Sequence, residues 1–179
     1  MAATEDPFEC STERLLLCRP VDDDLDAVFL LHSDPATHAH NPTTPDLDVA
    51  ASRRRLHGWI DDWSDHGFGY WSVRSTADGE VVGFAGVRHS QWLAQPVLNL
   101  YYRFRPDTWG RGLATEAARH AVSLSAVHVP VLARTRPANI ASQRTALAAG
   151  LIRRADLDRG DSGGVSTILV SHWPADAHG

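Results

Sequence analysis

The stretch Asn99–His120, NLYYRFRPDTWGRGLATEAARH, decides how the chain is read. It begins as a strand, since Val97 to Phe104 (VLNLYYRF) is rich in β-branched and aromatic residues and is closed off by Arg105 and Pro106. It continues as a short loop with two glycines and ends as a helix from Gly112 to about Val127, with small residues at Ala114, Ala117 and Ala118. Glycines at a strand-to-helix turn let main-chain N–H groups converge on one point, and the helix dipole adds partial positive charge there. The turn Trp109–Ala114 therefore reads as an anion site suited to phosphate. Arg111 and Arg105 stand ready to add charge-assisted contacts.

Competing readings of this turn fare worse. A dinucleotide-binding fingerprint wants a third glycine where Thr115 stands, and an acid about 20 residues on. The strand that follows instead reads Val131-Leu132-Ala133-Arg134-Thr135. A Walker A loop needs lysine, and all 17 basic residues of this chain are arginine. The same fact excludes a Schiff-base lysine and a Ser-Lys pair. A glycine-rich turn that only eases packing stays open.

Working outward, Glu13–Arg19 (ERLLLCR) predicts a strand ended by Pro20, and Asp22, Asp23 and Asp24 predict the first turn of a helix. Asn41 to Pro45 breaks that helix with two prolines, and a second helix is expected from about Asp46 to His66. Phe68–Arg74 and Glu80–Arg88 read as strands joined across Asp78-Gly79, a hairpin signal. After the central unit come a strand over Val131–Thr135 and a helix over Asn139–Ala149 stopped by Gly150. Leu151–Asp158 and Val165–His172 close the chain as an antiparallel pair. The order β-α-α-β-β-β-α-β-α-β-β holds one β-α-β unit, hence one parallel pair in an otherwise antiparallel sheet. This is an α+β class with a mixed sheet flanked by helices, in a single domain over 1–179 with its core at about 13–173.

Composition agrees with one soluble globular domain: 179 residues, 43% hydrophobic and 22% charged. The formal net charge of -5, with arginines scattered among more numerous acids, excludes a polybasic nucleic-acid binder. No apolar run approaches the roughly 20 residues that span a bilayer, and the acidic N-terminus lacks a signal-peptide core. A cytoplasmic address without a membrane partner follows as an expectation. Cys10 and Cys18 flank the first strand with no metal-ligand pattern and read as reduced structural thiols. Glu116 and His120, one helical turn apart, lack a third ligand and read as a surface pair, so no metal is expected.

The segment Trp109–Ala114 resembles motif A of the GNAT acetyltransferase superfamily, (Gln/Arg)-x-x-Gly-x-(Gly/Ala), with Trp109 first, Gly112 fourth and Ala114 sixth. WGRGLATEA (Trp109–Ala117) and NIASQRTALAAGL (Asn139–Leu151) resemble the branch that includes the ribosomal-protein N-terminal acetyltransferases, whose second signature is Asn-x-x-Ser-x-Arg…Gly-Phe. Trp109 and Leu151 depart from those patterns. The expected element order agrees from Glu13 to His172.

The resemblance implies the GNAT fold and an acetyl-CoA-dependent N-acetyltransferase in which an amine attacks the thioester directly. Acetyl-CoA is then the donor substrate. Gly110, Arg111, Gly112, Leu113, Ala114 and Thr115, with Trp109, would hold the pyrophosphate. Tyr102, Arg103 and Phe104 would pair their backbone with the pantetheine and polarise the carbonyl. Asn139 would bind the pantetheine arm, or simply cap its helix. Many family members carry a proton-donating Tyr seven residues after that Asn; here the place is Ala146, and Ser142 is the substitute the branch suggests. The family often has Glu where Asn99 stands, and asparagine is no base. His38 and His40, in the loop expected to cap the acceptor site, titrate in a useful range. Asn99, His38, His40 and Trp71 are the candidate acceptor contacts. Trp71 belongs to an aromatic group with Trp59, Trp63, Phe68 and Tyr70, most of it expected in the core. Asp61, Asp62 and Asp65 form a solvated face or attract a cationic amine. The acceptor is any primary amine, from a protein N-terminus to a polyamine, an amino acid or an aminoglycoside-type antibiotic. A homodimer through an edge strand near the C-terminus is the possible assembly. The alternative is a non-catalytic acyl-CoA-binding module, supported by Asn99 and Ala146. A nucleotide-binding protein ranks last.

Overall fold

The structure is a computed structural model that describes residues 9–40, 45–46, 48–125, 129–161 and 164–174. Its strands are β1 (Cys10–Ser11), β2 (Leu15–Cys18), β3 (Tyr70–Ser75), β4 (Val81–Trp92), β5 (Gln95–Phe104), β6 (Val131–Thr135), β7 (Ile152–Arg153), β8 (Arg159–Asp161) and β9 (Gly164–Val170). The helices are α1 (Leu25–Ser33), α2 (Val49–His66), α3 (Leu113–Ser125) and α4 (Ile140–Ala148). The sheet order is β1-β2-β3-β4-β5-β6-β9-β7, with β8 paired to β9. Only β5 and β6 run parallel among the described strands. This is the mixed α+β architecture expected from the β-α-β unit.

The two sheet faces have different covers. On one, α3 lays Leu113, Ala117, Ala118, Ala121 and Val122 on Leu98, Leu100, Phe104, Trp71 and Ala85. The alanines keep that helix close to the sheet, and their helical spacing makes the buried stripe. On the other face, Val28, Leu31, Leu56 and Trp59 from α1 and α2 cover Tyr70 and Phe84. The α2 helix is held at its start by Asp48, whose carboxylate accepts the Ala51 N–H at 2.7 Å. It ends at Gly67 in the left-handed conformation, φ 74°.

Several boundaries shift for physical reasons. Asp22–Asp24 forms a 3-10 turn rather than a helical first turn. Asp24 is buried there, accepting the Val21 N–H and pairing with Arg74 on β3. The second helix begins at Val49 because Asp46 is already engaged, accepting from Ser52 Oγ (2.7 Å) and Arg55 Nη2 (2.7 Å). The proline break expected at Asn41 to Pro45 falls mostly outside the described residues. The β4–β5 hairpin extends to Trp92 and Gln95 around Leu93 and Ala94, which take positive φ without any Gly or Asn signal.

The strand expected over Leu151–Asp158 is broken after Arg153. Leu157 turns inward to pack with Ile168 and Val170, and Asp158 Oδ1 accepts the Ile168 N–H at 3.0 Å. The expected loop then carries β8. The last strand is not an edge: β9 lies between β6 and β7. Both cysteines are free thiols. No helix among the described residues is long and apolar enough to cross a membrane.

Candidate active site

The site begins where the sheet opens. The β5–β6 ladder is registered only at Leu98–Val131 and Asn99–Leu132. Yet β5 stays paired with β4 out to Phe104–Gly83, and β6 with β9 out to Thr135–Thr167. Each strand follows its outer neighbour, so a notch forms between them. Leu98 donates its N–H to Pro130 O at 2.8 Å, on the β6 side, and Arg105 donates to Val82 O at 2.9 Å, on the β4 side. Main-chain groups alternate along a strand. The amides of Tyr102 and Phe104 therefore face the notch, while that of Arg103 faces β4. Of the three residues expected to offer main chain to pantetheine, Arg103 offers its side chain to the opposite face instead.

The loop from Arg105 to Gly112 closes the top of the notch. Trp109, 52% exposed, donates from Nε1 to Phe104 O at 2.8 Å and so pins the loop to the end of β5. Gly110 and Gly112 have φ of 74° and 78°, a region L side chains rarely adopt. A Cβ at Gly110 would meet nothing within 4 Å, and one at Gly112 only the Arg14 guanidinium at 3.6 Å. Conformation, not crowding, requires these glycines. The α3 helix opens at Leu113, and its first N–H groups have no intrahelical acceptor. None of the hydrogen bonds among the described residues is donated by a main-chain N–H of residues 110–115. Leu113 itself is buried, so it can offer a ligand only its amide, as Ala114 and Thr115 do beside it. The Arg111 carbonyl accepts from Arg14 Nη1 at 2.7 Å, leaving its guanidinium exposed. This arrangement suits a phosphate group.

Glu116 and His120 on α3 serve another purpose. Glu116 Oε1 accepts from Thr12 Oγ1 (2.6 Å) and Arg14 N (2.9 Å), and its Oε2 accepts from Arg14 Nε (2.7 Å). Burial raises its carboxyl pKa, but these donors outweigh burial and the net shift is down. His120 Nε2 lies 2.9 Å from Cys10 Sγ. Burial pushes that thiol up and the imidazole down, so both stay neutral near pH 7. The pair ties the first strands to α3. No group of three or more His, Cys, Asp or Glu able to hold a metal occurs among the described residues.

Across the notch, Asn139 caps α4, its Oδ1 accepting the Ser142 N–H at 3.1 Å. Tyr102 reaches over from β5: its hydroxyl donates to Ser142 O at 2.7 Å and lies 3.0 Å from Ser142 Oγ. Burial pushes the Tyr102 phenol up to about 12, against the lowering effect of the Ser142 bond. Ala146, one turn further along α4, is fully buried.

The face covered by α1 and α2 carries Asn99, Tyr101 and Arg103 in alternation. Asn99 Nδ2 donates to Tyr70 Oη at 2.7 Å, and Tyr70 stacks on Tyr101 with centroids 4.8 Å apart. His32 Nδ1 lies 2.9 Å from Val28 O and His32 Nε2 2.9 Å from Tyr101 Oη. A carbonyl only accepts, so Nδ1 carries the proton and Nε2 takes the Tyr101 hydroxyl. Burial, with Arg103 and Arg55 nearby, lowers the His32 pKa to about 3.

His38 is 8% exposed rather than a free loop side chain, with Nε2 2.8 Å from His32 O and 2.9 Å from Arg103 Nη1. His40 is exposed. Trp71 does not join this group. It points to the α3 side, 1% exposed, in the core with Leu15, Leu17 and Ala117. The aromatic on the Asn99 face is its neighbour Tyr70, with Trp59 behind it at 5.9 Å. Tyr101 and His32 were also absent from the candidates. Strand alternation from Asn99 would have found Tyr101, but nothing in the sequence pairs His32 with it.

This geometry is that of the acetyltransferase (GNAT) domain family, which matches residues 14–152, and the chain belongs to that family. Solved structures agree on the fold. A putative GNAT-family acetyltransferase from Bordetella pertussis aligns at 20% identity and TM-score 0.75, covering 91% of this chain and 98% of that one. RimL, a ribosomal L7/L12 alpha-N-protein acetyltransferase in complex with coenzyme A, aligns at 12% identity and TM-score 0.74, covering 90% and 96%. AAC(6')-Ib in complex with ribostamycin and coenzyme A aligns at 17% identity and TM-score 0.66, covering 91% and 98%.

Proposed function

We propose that the protein is an acetyl-CoA-dependent N-acetyltransferase acting on a primary amine. The observation that carries this reading is the meeting of the opened β5–β6 notch with the glycine turn and the Tyr102–Ser142 contact. Main-chain N–H groups of 110–115 hold the pyrophosphate, with Arg111 adding charge. Tyr102 N–H, facing the notch, takes the thioester carbonyl, where negative charge develops. Asn139 binds the pantetheine arm with its free amide N–H groups. The amine arrives over the Asn99–Tyr101 face, and the C–N bond forms as the C–S bond breaks. Ser142 Oγ hydrogen-bonds the departing sulfur. Tyr102, already in contact with it, shares the proton, and the proton lost by the amine balances the exchange through solvent.

Among the described residues, the carboxylates on this face are all in ion pairs. Asp46 and Asp62 are each tied to an arginine, and His32 already accepts the Tyr101 hydroxyl. The neutral fraction of the amine therefore attacks, and the rate should rise with pH toward the acceptor's own pKa. CoA-bound neighbours of this fold, one naming a protein α-amine and one holding ribostamycin, support an amine acceptor.

The test is twofold. Millimolar acetyl-CoA should raise the melting temperature, and free thiol should appear with at least one member of a panel of peptides, amino acids and polyamines. No thermal shift with acetyl-CoA sinks the reading. A second reading, an acyl-CoA-binding module without turnover, rests on Asn99 being engaged by Tyr70 and Ala146 being buried. It predicts the thermal shift with no thiol release from any amine.

A further inference from the structure

The acceptor face keeps an uneven charge account. Asp24 is paired with Arg74, Asp46 with Arg55 and Asp62 with Arg88. Arg103, on the same face, has no carboxylate partner among the described residues. Its one contact there is His38 Nε2 at 2.9 Å. The titratable groups around it are Tyr101, whose phenol burial pushes up, His32, which stays neutral above about pH 3, and the Asp46–Arg55 pair, which acts on both of them. A half-buried guanidinium without a counter-ion is unfavourable, and its planar fork matches a carboxylate in two hydrogen bonds.

Arg103 also stands in the right place. Its main chain is locked to β4, and the notch-facing amide of Tyr102 is its immediate neighbour. Asn99, four residues back on the same face, is about 13 Å away along the strand. An acceptor whose amine reaches the carbonyl at Tyr102 would thus have the Arg103 guanidinium beside that amine, with the rest of its length along Tyr101 and Asn99.

We infer that Arg103 is a specificity residue for acceptors that carry a carboxylate close to the amine. The inference rests on the acetyltransferase reading and names its acceptor class. A free amino acid and a peptide with an acidic residue near its N-terminus both supply that chemistry.

Matched pairs of amines test this: amino acids against their carboxamides, and Ala-Asp against Ala-Asn peptides, with kcat/KM read by thiol release. Wild type should favour the carboxylate member at least tenfold in one of the two sets, and that set identifies the source. In Arg103→Gln the preference should fall at least tenfold, whereas Arg103→Lys should keep part of it. Thermal stabilisation by acetyl-CoA checks that each variant is folded and binds donor. A preference unchanged in Arg103→Gln, or a wild-type preference for the uncharged member, overturns the inference while leaving the acetyltransferase reading intact. Acetyl-CoA stabilisation without turnover of any carboxylate-bearing amine also overturns it. Loss of acetyl-CoA stabilisation in the wild type overturns both.

Discussion

The proposed donor side and the proposed acceptor side of this molecule are built from different materials. The donor side is main chain: two strands that part, two glycines at positive φ, and the open end of a helix. Its side chains turn away, Leu113 into the core and Trp109 back onto Phe104. The acceptor side is side chain: Asn99 on Tyr70, Tyr101 on His32, His38 beside Arg103, drawn from α1, the turn after it, β3 and β5. Main-chain sites depend on conformation and bind what every acyl-CoA shares. Side-chain sites depend on identity and can differ from one amine to the next.

Ser142 joins the two sides, so its removal should have the largest effect. Ser142→Ala should lower kcat about 100-fold, the lower end of what a positioned proton donor contributes. Tyr102→Phe should lose less, since Ser142 and its N–H bond to the Asn139 cap survive. Acetyl-CoA should stabilise both variants as it does wild type. If Tyr102→Phe proves the more damaging, the phenol and not the serine is the proton donor.

Gly112→Val tests the main-chain side. With only the Arg14 guanidinium in ordinary contact with a Cβ at Gly112, the cost is strain at φ 78° rather than a clash. Strain of this kind runs at about 1–2 kcal/mol. Because relief comes by moving the loop, acetyl-CoA affinity should drop about tenfold or more by calorimetry. Unchanged affinity would mean that the turn does not hold the donor.

The same division decides what could be read from sequence. The turn Trp109–Ala114 was legible because glycine spacing reports backbone conformation directly. The Asn139 cap was legible because a cap and its helix are local. The parallel pair followed from one crossover helix. Trp71 was assigned to the wrong face because an aromatic run (Tyr70-Trp71) does not say which member faces the core. Only pairing with β4 settles that, and Phe84, not Ala85, is the residue packed beside Tyr70. His32 was invisible for a related reason. It sits in the last turn of α1, after an apolar stretch, and its partner Tyr101 is 69 residues away. Leu93-Ala94 carries no turn signal, so the hairpin looked shorter than it is.

Burying His32 should also leave a signature in stability. Its folded pKa of about 3 lies below the unfolded value near 6.5, so the neutral form is the one folding favours. The contribution is intact above about pH 6.5 and is lost as pH falls toward 3, at up to about 1.4 kcal/mol per pH unit. Between roughly pH 4.5 and 6.5 few carboxylates titrate, and His120, also pushed down by burial, contributes equally to wild type and variant, so their difference reads His32. Urea unfolding across that window should show His32→Gln with about one proton less linkage than wild type. The Gly112 variant should keep the wild-type slope, since nothing on the donor turn is buried and titrating in this way. Equal slopes for His32→Gln and wild type would mean that the imidazole charges without unfolding the acceptor side.

The smallest effect concerns a glycine of the opposite kind. Gly58 lies in the exposed interior of α2, with a permitted helical φ and nothing within 4 Å of a Cβ. Neither conformation nor space asks for glycine there, in contrast to Gly112. Gly58→Ala should therefore stabilise the helix by roughly 0.5–1 kcal/mol. For a chain of 179 residues that is a rise of about 1–4 °C in melting temperature. Acetyl-CoA affinity should not move, because a Cβ at Gly58 meets nothing within 4 Å and so disturbs no contact of the glycine turn. A fall in turnover with the amine, alongside the higher melting temperature, would show that α2 must yield for the acceptor to enter. Unchanged turnover would place the acceptor's path entirely over Asn99, Tyr101 and Arg103.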